Sequence, residues 1–129
     1  MVESLKVLVV DDEEPLRKIL ALRFEQEGFD VVTAGNGADA VKLAEEERPH
    51  AVVLDIIMPG MHGFEVVKQI RRIPSLSKTV VIITSAKSYK ADIDAAKKLG
   101  ADDYCVKPTD FDDLVSRIRK HLKHRAGIA

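Results

Sequence analysis

The chain has 129 residues, 46% hydrophobic and 32% charged, with a net charge of −1. This is the size and balance of one globular domain with a proper core, and the near-neutral charge gives no general pull towards nucleic acid or a membrane surface. A single cysteine, Cys105, rules out an internal disulfide framework. No apolar run is long enough to cross a bilayer, and no basic segment followed by an apolar stretch opens the chain. The expectation is a cytoplasmic single domain over 1–129, with its core at about 5–124.

Short, continuous, β-branched runs alternate with amphipathic stretches. The runs suit strands buried on both faces, as in parallel sheets. The first strand is expected at Lys6–Val10. A helix follows, with Pro15 in its first turn, Leu16, Ile19, Leu20 and Phe24 along one side, and Gly28 at its end. The second strand is expected at Asp30–Thr33. Its helix opens at Asn36 as N-cap, carries Ala40, Val41 and Ala44, and stops before Pro49. The third strand, Ala51–Asp55, leads to a helix with Phe64, Val67 and Ile70 that ends before Pro74. The fourth strand, Val80–Thr84, precedes a helix from about Ser88 to Gly100, carrying Ile93 and Ala96. The last strand, Asp103–Val106, precedes a helix from Thr109 or Asp110 that buries Leu114, Val115, Ile118 and Leu122. About five βα units in succession predict a doubly wound sheet.

In such sheets the carboxyl ends of the strands share one edge, and ligands bind there. Asp11, Asp12, Asp55, Ser85 and Lys107 all fall at those ends. Clustered carboxylates repel unless a cation joins them, and Mg²⁺ prefers oxygen ligands. Glu13 and Glu14 have a simpler use in the first turn of a helix, whose dipole favours acidic residues. For Asp11 and Asp12 alone, metal binding and helix capping are equally good readings. Asp55 shifts the balance, because a carboxylate ending an apolar strand is costly to bury without a partner. Three carboxylates, a hydroxyl and an ammonium could together hold a divalent cation and accept a phosphoryl group.

Four segments carry a resemblance. They are Lys6 to Asp12, Leu54 to Gly63 (Leu-Asp-Ile-Ile-Met-Pro-Gly-Met-His-Gly), Ile82 to Ala86 (Ile-Ile-Thr-Ser-Ala), and Gly100 to Pro108 (Gly-Ala-Asp-Asp-Tyr-Cys-Val-Lys-Pro). In this order they make the chain resemble the receiver domain of two-component response regulators, of the chemotaxis-regulator kind. The resemblance implies a flavodoxin-like (βα)5 fold: a five-stranded parallel sheet of order 2-1-3-4-5 with helices on both faces. It implies that Asp55 accepts a phosphoryl group from the phosphohistidine of a sensor histidine kinase or phosphotransfer protein. Asp12, Asp55 and the backbone carbonyl of Ile57 would ligate Mg²⁺, and Asp11 would do so directly or through water. Lys107 would balance the phosphoryl charge, and its bond to Pro108 would be cis.

The switch hydroxyl is assigned to Ser85, since a small residue, Ala86, follows it as in the family; Thr84 is the fallback. Tyr104 stands where the family carries a rotating aromatic. It would turn inward as Ser85 moves, remodelling the face made by the fourth helix, fifth strand and fifth helix. Ile57, Ala86 and Lys87 would flank the phosphoryl group. The chain would catalyse only its own phosphorylation and dephosphorylation. Its partners would be the phosphodonor and a downstream protein or output domain, with a phosphorylation-linked homodimer compatible and no direct contact with nucleic acid or membrane. Two positions depart from the family pattern: Thr109 replaces a common aromatic, with Phe111 as substitute packing, and His62 replaces a common acid.

The remaining candidates are weaker. His121 and His124 lie one turn apart but have no third ligand, and they suit the C-terminal end of a helix dipole. The basic end, Arg117 to Arg125, reads as a solvated helix face, and Cys105 as a small buried hydrophobe. Three rival classes compete. A flavin binder would not place Asp11 to Glu14 in its phosphate loop. A haloacid-dehalogenase-type phosphatase would need an acid where Ile57 stands. A phosphorylation-independent interaction module with the same fold is the serious alternative.

Overall fold

The computed structural model describes residues 4–127. Five parallel strands, β1 (Lys6–Val10), β2 (Asp30–Ala34), β3 (Ala51–Asp55), β4 (Val80–Ser85) and β5 (Asp103–Val106), form one sheet in the order β2-β1-β3-β4-β5. Five helices connect and follow them: α1 (Glu14–Gln26), α2 (Gly37–Glu47), α3 (Gly63–Arg71), α4 (Lys90–Leu99) and α5 (Phe111–His121). This is the flavodoxin-like architecture and strand order expected.

Alternation along each strand sorts side chains to two faces. Leu8, Val10, Val52, Leu54, Val81 and Ile83 pack with Ala40 and Ala44 of α2, Val67 and Ile70 of α3, and Ala96 of α4. Val7, Val9, Val53, Val80 and Ile82 pack on the other face with Phe24 of α1 and Leu114, Val115 and Ile118 of α5. Because both faces are covered, β3 and β4 are buried along their whole length, which is why their sequences are unbroken apolar runs.

Local chemistry sets the helix ends. The Asn36 side chain accepts a hydrogen bond from the Asp39 N–H at 2.9 Å, the N-cap expected for α2. Asp110 caps α5 by accepting from the Asp112 and Asp113 N–H groups. Gly100 closes α4 at φ +112°, a region that suits glycine.

Several details differ from the sequence reading. β2 and β4 each run one residue further, to Ala34 and Ser85. α4 begins at Lys90 rather than near Ser88, with Tyr89 at the N-cap making no side-chain cap bond. Ile19, read as core-facing, is 56% exposed: it lies at the margin of the apolar stripe, and Phe24 fills the core instead. A 3-10 turn, Pro74–Leu76, follows α3, and a π-helical turn, Leu122–Ala126, extends α5. Phe111 is buried against Phe24, ring centroids 4.9 Å apart, so it does supply aromatic packing after Thr109.

Candidate functional site

The strand registers assemble the site. Val10 pairs with Leu54, so the next residues, Asp11 and Asp55, leave neighbouring strands side by side. Asp55 pairs with Thr84, and Ser85 pairs with Val106, the residue before Lys107. The Lys107 N–H donates to the Ser85 carbonyl at 2.7 Å, carrying the ladder one step past β5. The Lys107–Pro108 peptide is cis.

Lys107 reaches across the edge. Its Nζ lies 3.2 Å from Asp11 Oδ2 and 3.4 Å from Asp55 Oδ2. The other oxygens are held by backbone: Asp11 Oδ1 accepts from the Glu13 N–H at 2.9 Å, and Asp55 Oδ1 from the Ile57 N–H at 3.3 Å. Asp11 and Asp55 are buried, while Asp12 is exposed. One carboxylate oxygen from each of the three lies within 4.8 Å of the others. That spacing and all-oxygen donor set fit a hard divalent cation such as Mg²⁺, with Asp11, Asp12 and Asp55 as its carboxylates.

The electrostatics are divided. Burial pushes the Asp55 carboxyl above the ordinary carboxylate range, and the Asp11 charge adds to this; Lys107 and the Ile57 N–H oppose it. Burial would lower Lys107, but the Asp55 and Asp11 charges outweigh it and hold the ammonium above its usual value. The pocket therefore keeps the Lys107 ammonium charged, while burial works against the charged form of Asp55.

Thr84 and Ser85 part company. Thr84 follows Val80 and Ile82 to the α1/α5 side, where it lines an apolar cavity of about 520 Å³ with Leu16, Leu20, Lys107 and Phe111. Ser85 follows Val81 and Ile83 to the side that holds Tyr104. It is fully buried, and its Oγ accepts from the Lys87 N–H at 3.1 Å. Tyr104 is turned in, 7% exposed, and its hydroxyl donates to the Lys87 carbonyl at 2.8 Å. Both backbone groups of Lys87 thus join the hydroxyl to the tyrosine. Ile57 is 50% exposed at the mouth, and Ala86 and Lys87 are also exposed.

Sequence reasoning missed three features. Lys87 is expected only to flank the phosphoryl group, and its backbone link between Ser85 and Tyr104 depends on tertiary placement. Arg17 turns back from α1 to donate to the Asp11 carbonyl at 2.7 Å, a contact that nothing in the sequence marks. His121 is engaged by an acid, and among the described residues neither it nor His124 belongs to a group of three or more metal-ligating side chains. The His121 Nε2 lies 2.9 Å from Asp103 Oδ2, and Arg117 Nη1 donates to Oδ1 of the same carboxylate at 3.0 Å. The basic end is therefore partly engaged: Arg117 also meets Asp113, and Arg125 meets Asp102. Cys105 is buried, and burial pushes its thiol up to about 11, which leaves it inert near neutral pH.

The comparisons agree with this architecture. The family described as "Response regulator receiver domain" matches residues 7–119. The chain belongs to the response regulator receiver domain family. It is similar to the receiver domain of Francisella response regulator 1452, at 32% identity and TM-score 0.85, covering 94% of this chain and 98% of that one. It is also similar to Vibrio cholerae chemotaxis protein CheY4, at 28% identity and TM-score 0.87, covering 92% and 98%. A CheY-like receiver domain protein from Methanospirillum hungatei JF-1 shares the fold at TM-score 0.90 and 22% identity, covering 97% and 98%. Among the described residues no helix is long and apolar enough to cross a membrane.

Proposed function

We propose that this receiver domain is a phosphorylation switch of a two-component relay, with Asp55 as acceptor. An Asp55 carboxylate oxygen attacks the phosphorus of a phosphohistidine. A P–O bond forms, the N–P bond breaks, and the leaving imidazole takes up a proton. The observation that carries this reading is the Lys107 ammonium shared between Asp11 and Asp55, beside three carboxylates drawn within 4.8 Å. Phosphoryl transfer depends mainly on positioning and on neutralising charge on the equatorial oxygens. Lys107 supplies one positive charge from the β5 side. Asp11, Asp12, Asp55 and the Ile57 carbonyl would hold Mg²⁺, which when bound neutralises phosphoryl oxygen charge.

Ser85 reports the phosphoryl group. Its hydroxyl accepts from Lys87 and keeps its own hydrogen free to donate to a phosphoryl oxygen. Movement of Ser85 would shift the Lys87 peptide, and with it the Tyr104 hydroxyl bond, so the signal passes to the α4-β5-α5 face. A downstream protein or an output domain would read that face. The phosphodonor would be a histidine kinase or phosphotransfer protein. Ile19 and Leu22, both more than half exposed on α1, offer it apolar surface on the helix that lines the cavity next to Lys107.

Beryllofluoride, an aspartyl-phosphate mimic, tests this. Added with Mg²⁺, it should shift the amide resonances of Ser85, Lys87 and Tyr104 in the wild type and leave them unmoved in Asp55→Ala. No shift in the wild type would sink the proposal.

A further inference from the structure

We propose that Arg17 is a positioning residue for the acidic end of β1: seated against Gly35, its guanidinium fixes the peptide that carries Asp12. The proposal rests on the cation-binding reading of the site and adds a residue to it.

Arg17 lies half-buried in α1, six residues beyond Asp11. Its Nη1 donates to the Asp11 carbonyl at 2.7 Å. A charge-assisted bond of this length is stronger than a neutral one. Among the described residues Arg17 makes no ion pair within 4 Å, so the carbonyl is its evident partner. Gly35 makes the arrangement fit. A Cβ built there would meet Arg17 Nη1 at 3.1 Å, Cζ at 3.5 Å and Nη2 at 3.8 Å, so the guanidinium plate lies over a surface with no side chain.

Asp11 is held on every polar group. Its N–H donates to the Ala34 carbonyl at 3.2 Å, its carbonyl accepts from Arg17, and its two carboxylate oxygens accept from the Glu13 N–H and Lys107. Asp12 differs. It is exposed, and among the described residues its carboxylate makes no hydrogen bond. Its direction is therefore set by its own backbone, which begins at the carbonyl that Arg17 grips. Arg17 and Gly35 together would orient the least anchored of the three candidate ligands.

Charge and positioning predict opposite signs. As a bare positive charge, Arg17 would repel a divalent cation, and removing it would tighten binding. As a positioning group, its removal would weaken binding, because partners that orient metal ligands typically carry about tenfold or more in affinity.

The full chain is titrated with Mg²⁺ by calorimetry, alongside thermal denaturation and amide spectra recorded without metal. Arg17→Ala should weaken Mg²⁺ binding about tenfold and move the Asp12 amide resonance in the metal-free protein. Arg17→Lys, which keeps charge and a donor, should recover part of the affinity. Gly35→Ala should weaken binding in the wild-type background and add nothing in Arg17→Ala, the coupling expected of touching groups. Unchanged or tighter Mg²⁺ binding in Arg17→Ala, with only a lower melting temperature, would overturn the proposal. So would a Gly35→Ala effect that adds fully to Arg17→Ala. A wild type that binds no Mg²⁺ would instead overturn the cation reading itself, and this proposal with it.

Discussion

Asp55 sits where burial and charge pull in opposite directions. Its carboxyl is raised above the ordinary range in the fold, so the folded state holds its proton more tightly than the unfolded chain does. The sign follows. Asp55 costs no stability below its unfolded pKa of about 4, and the cost grows as pH rises through the folded value. Asp55→Asn should therefore melt at a higher temperature than wild type at pH 7 without metal, and the gap should narrow at pH 3; a lower melting temperature at pH 7 would contradict this account. Ile57 is the other residue whose chemistry is local. Half-exposed at the pocket mouth, its bulk should impede water from attacking an aspartyl phosphate. Ile57→Asn should speed hydrolysis several-fold, roughly 1 kcal/mol of barrier, and an unchanged decay rate of the phosphorylated form would refute the idea. The roles proposed for Asp55, Asp12 and Lys107 were legible only together: a strand-end carboxylate also suits a helix cap and a lone lysine a solvated surface, and it was the ordered set of segments resembling the receiver family that assigned them. Arg17 was not, because a charged residue on a helix gives no sign that it folds back onto a carbonyl.

Elements hold these residues at fixed distances. The loop after β3 is pressed under α3: the Gly63 N–H donates to the Ile56 carbonyl at 2.8 Å, and a Cβ at Gly63 would lie 2.5 Å from Ile56 Cα and 2.9 Å from the Asp55 carbonyl. Both obstacles are backbone and cannot swing away. Gly63→Ala should cost about 1–3 kcal/mol by overpacking and displace Asp55, read as a lower denaturation midpoint together with weaker Mg²⁺ binding. At the other end of the sheet, β5 and α5 are joined through Asp103. Burial would raise its carboxyl, but His121, the Tyr104 N–H and Arg117 together hold it below the usual range. A lowered folded pKa contributes stability that is present above the unfolded value, about pH 4, and is lost as pH falls through the folded one. Asp103→Asn should thus be less stable than wild type at pH 7 and lose less on acidification to pH 2, followed by denaturant melts at each pH. The strand runs were legible from their unbroken β-branched residues. The start of α4 was not, because Ser88 resembles an N-cap whereas the chain turns into helix after Tyr89, without a side-chain cap.

At the scale of the molecule, the sheet brings distant residues to one edge, and sequence pattern revealed this because alternating βα units leave few topologies. The opposite end of the sheet gave no such signal. There Arg71 donates to the Gly100 and Thr79 carbonyls and to Asp102 Oδ2, while Arg125 donates to Asp102 Oδ1 and the Ser77 carbonyl. This network ties α3, the approach to β4, the loop before β5 and the turn after α5, and its partners are mostly backbone carbonyls that every residue carries. The two ends differ: one ties the frame together, the other gathers Asp11, Asp12, Asp55 and Lys107 at the strand ends. The central claim, that Asp55 takes a phosphoryl group, is tested most directly by intact-mass spectrometry after incubation with acetyl phosphate and Mg²⁺. The account predicts one phosphoryl adduct, mapped to Asp55 and absent in Asp55→Ala or when Mg²⁺ is chelated. An unmodified wild-type mass, or an adduct that persists in Asp55→Ala, would contradict it.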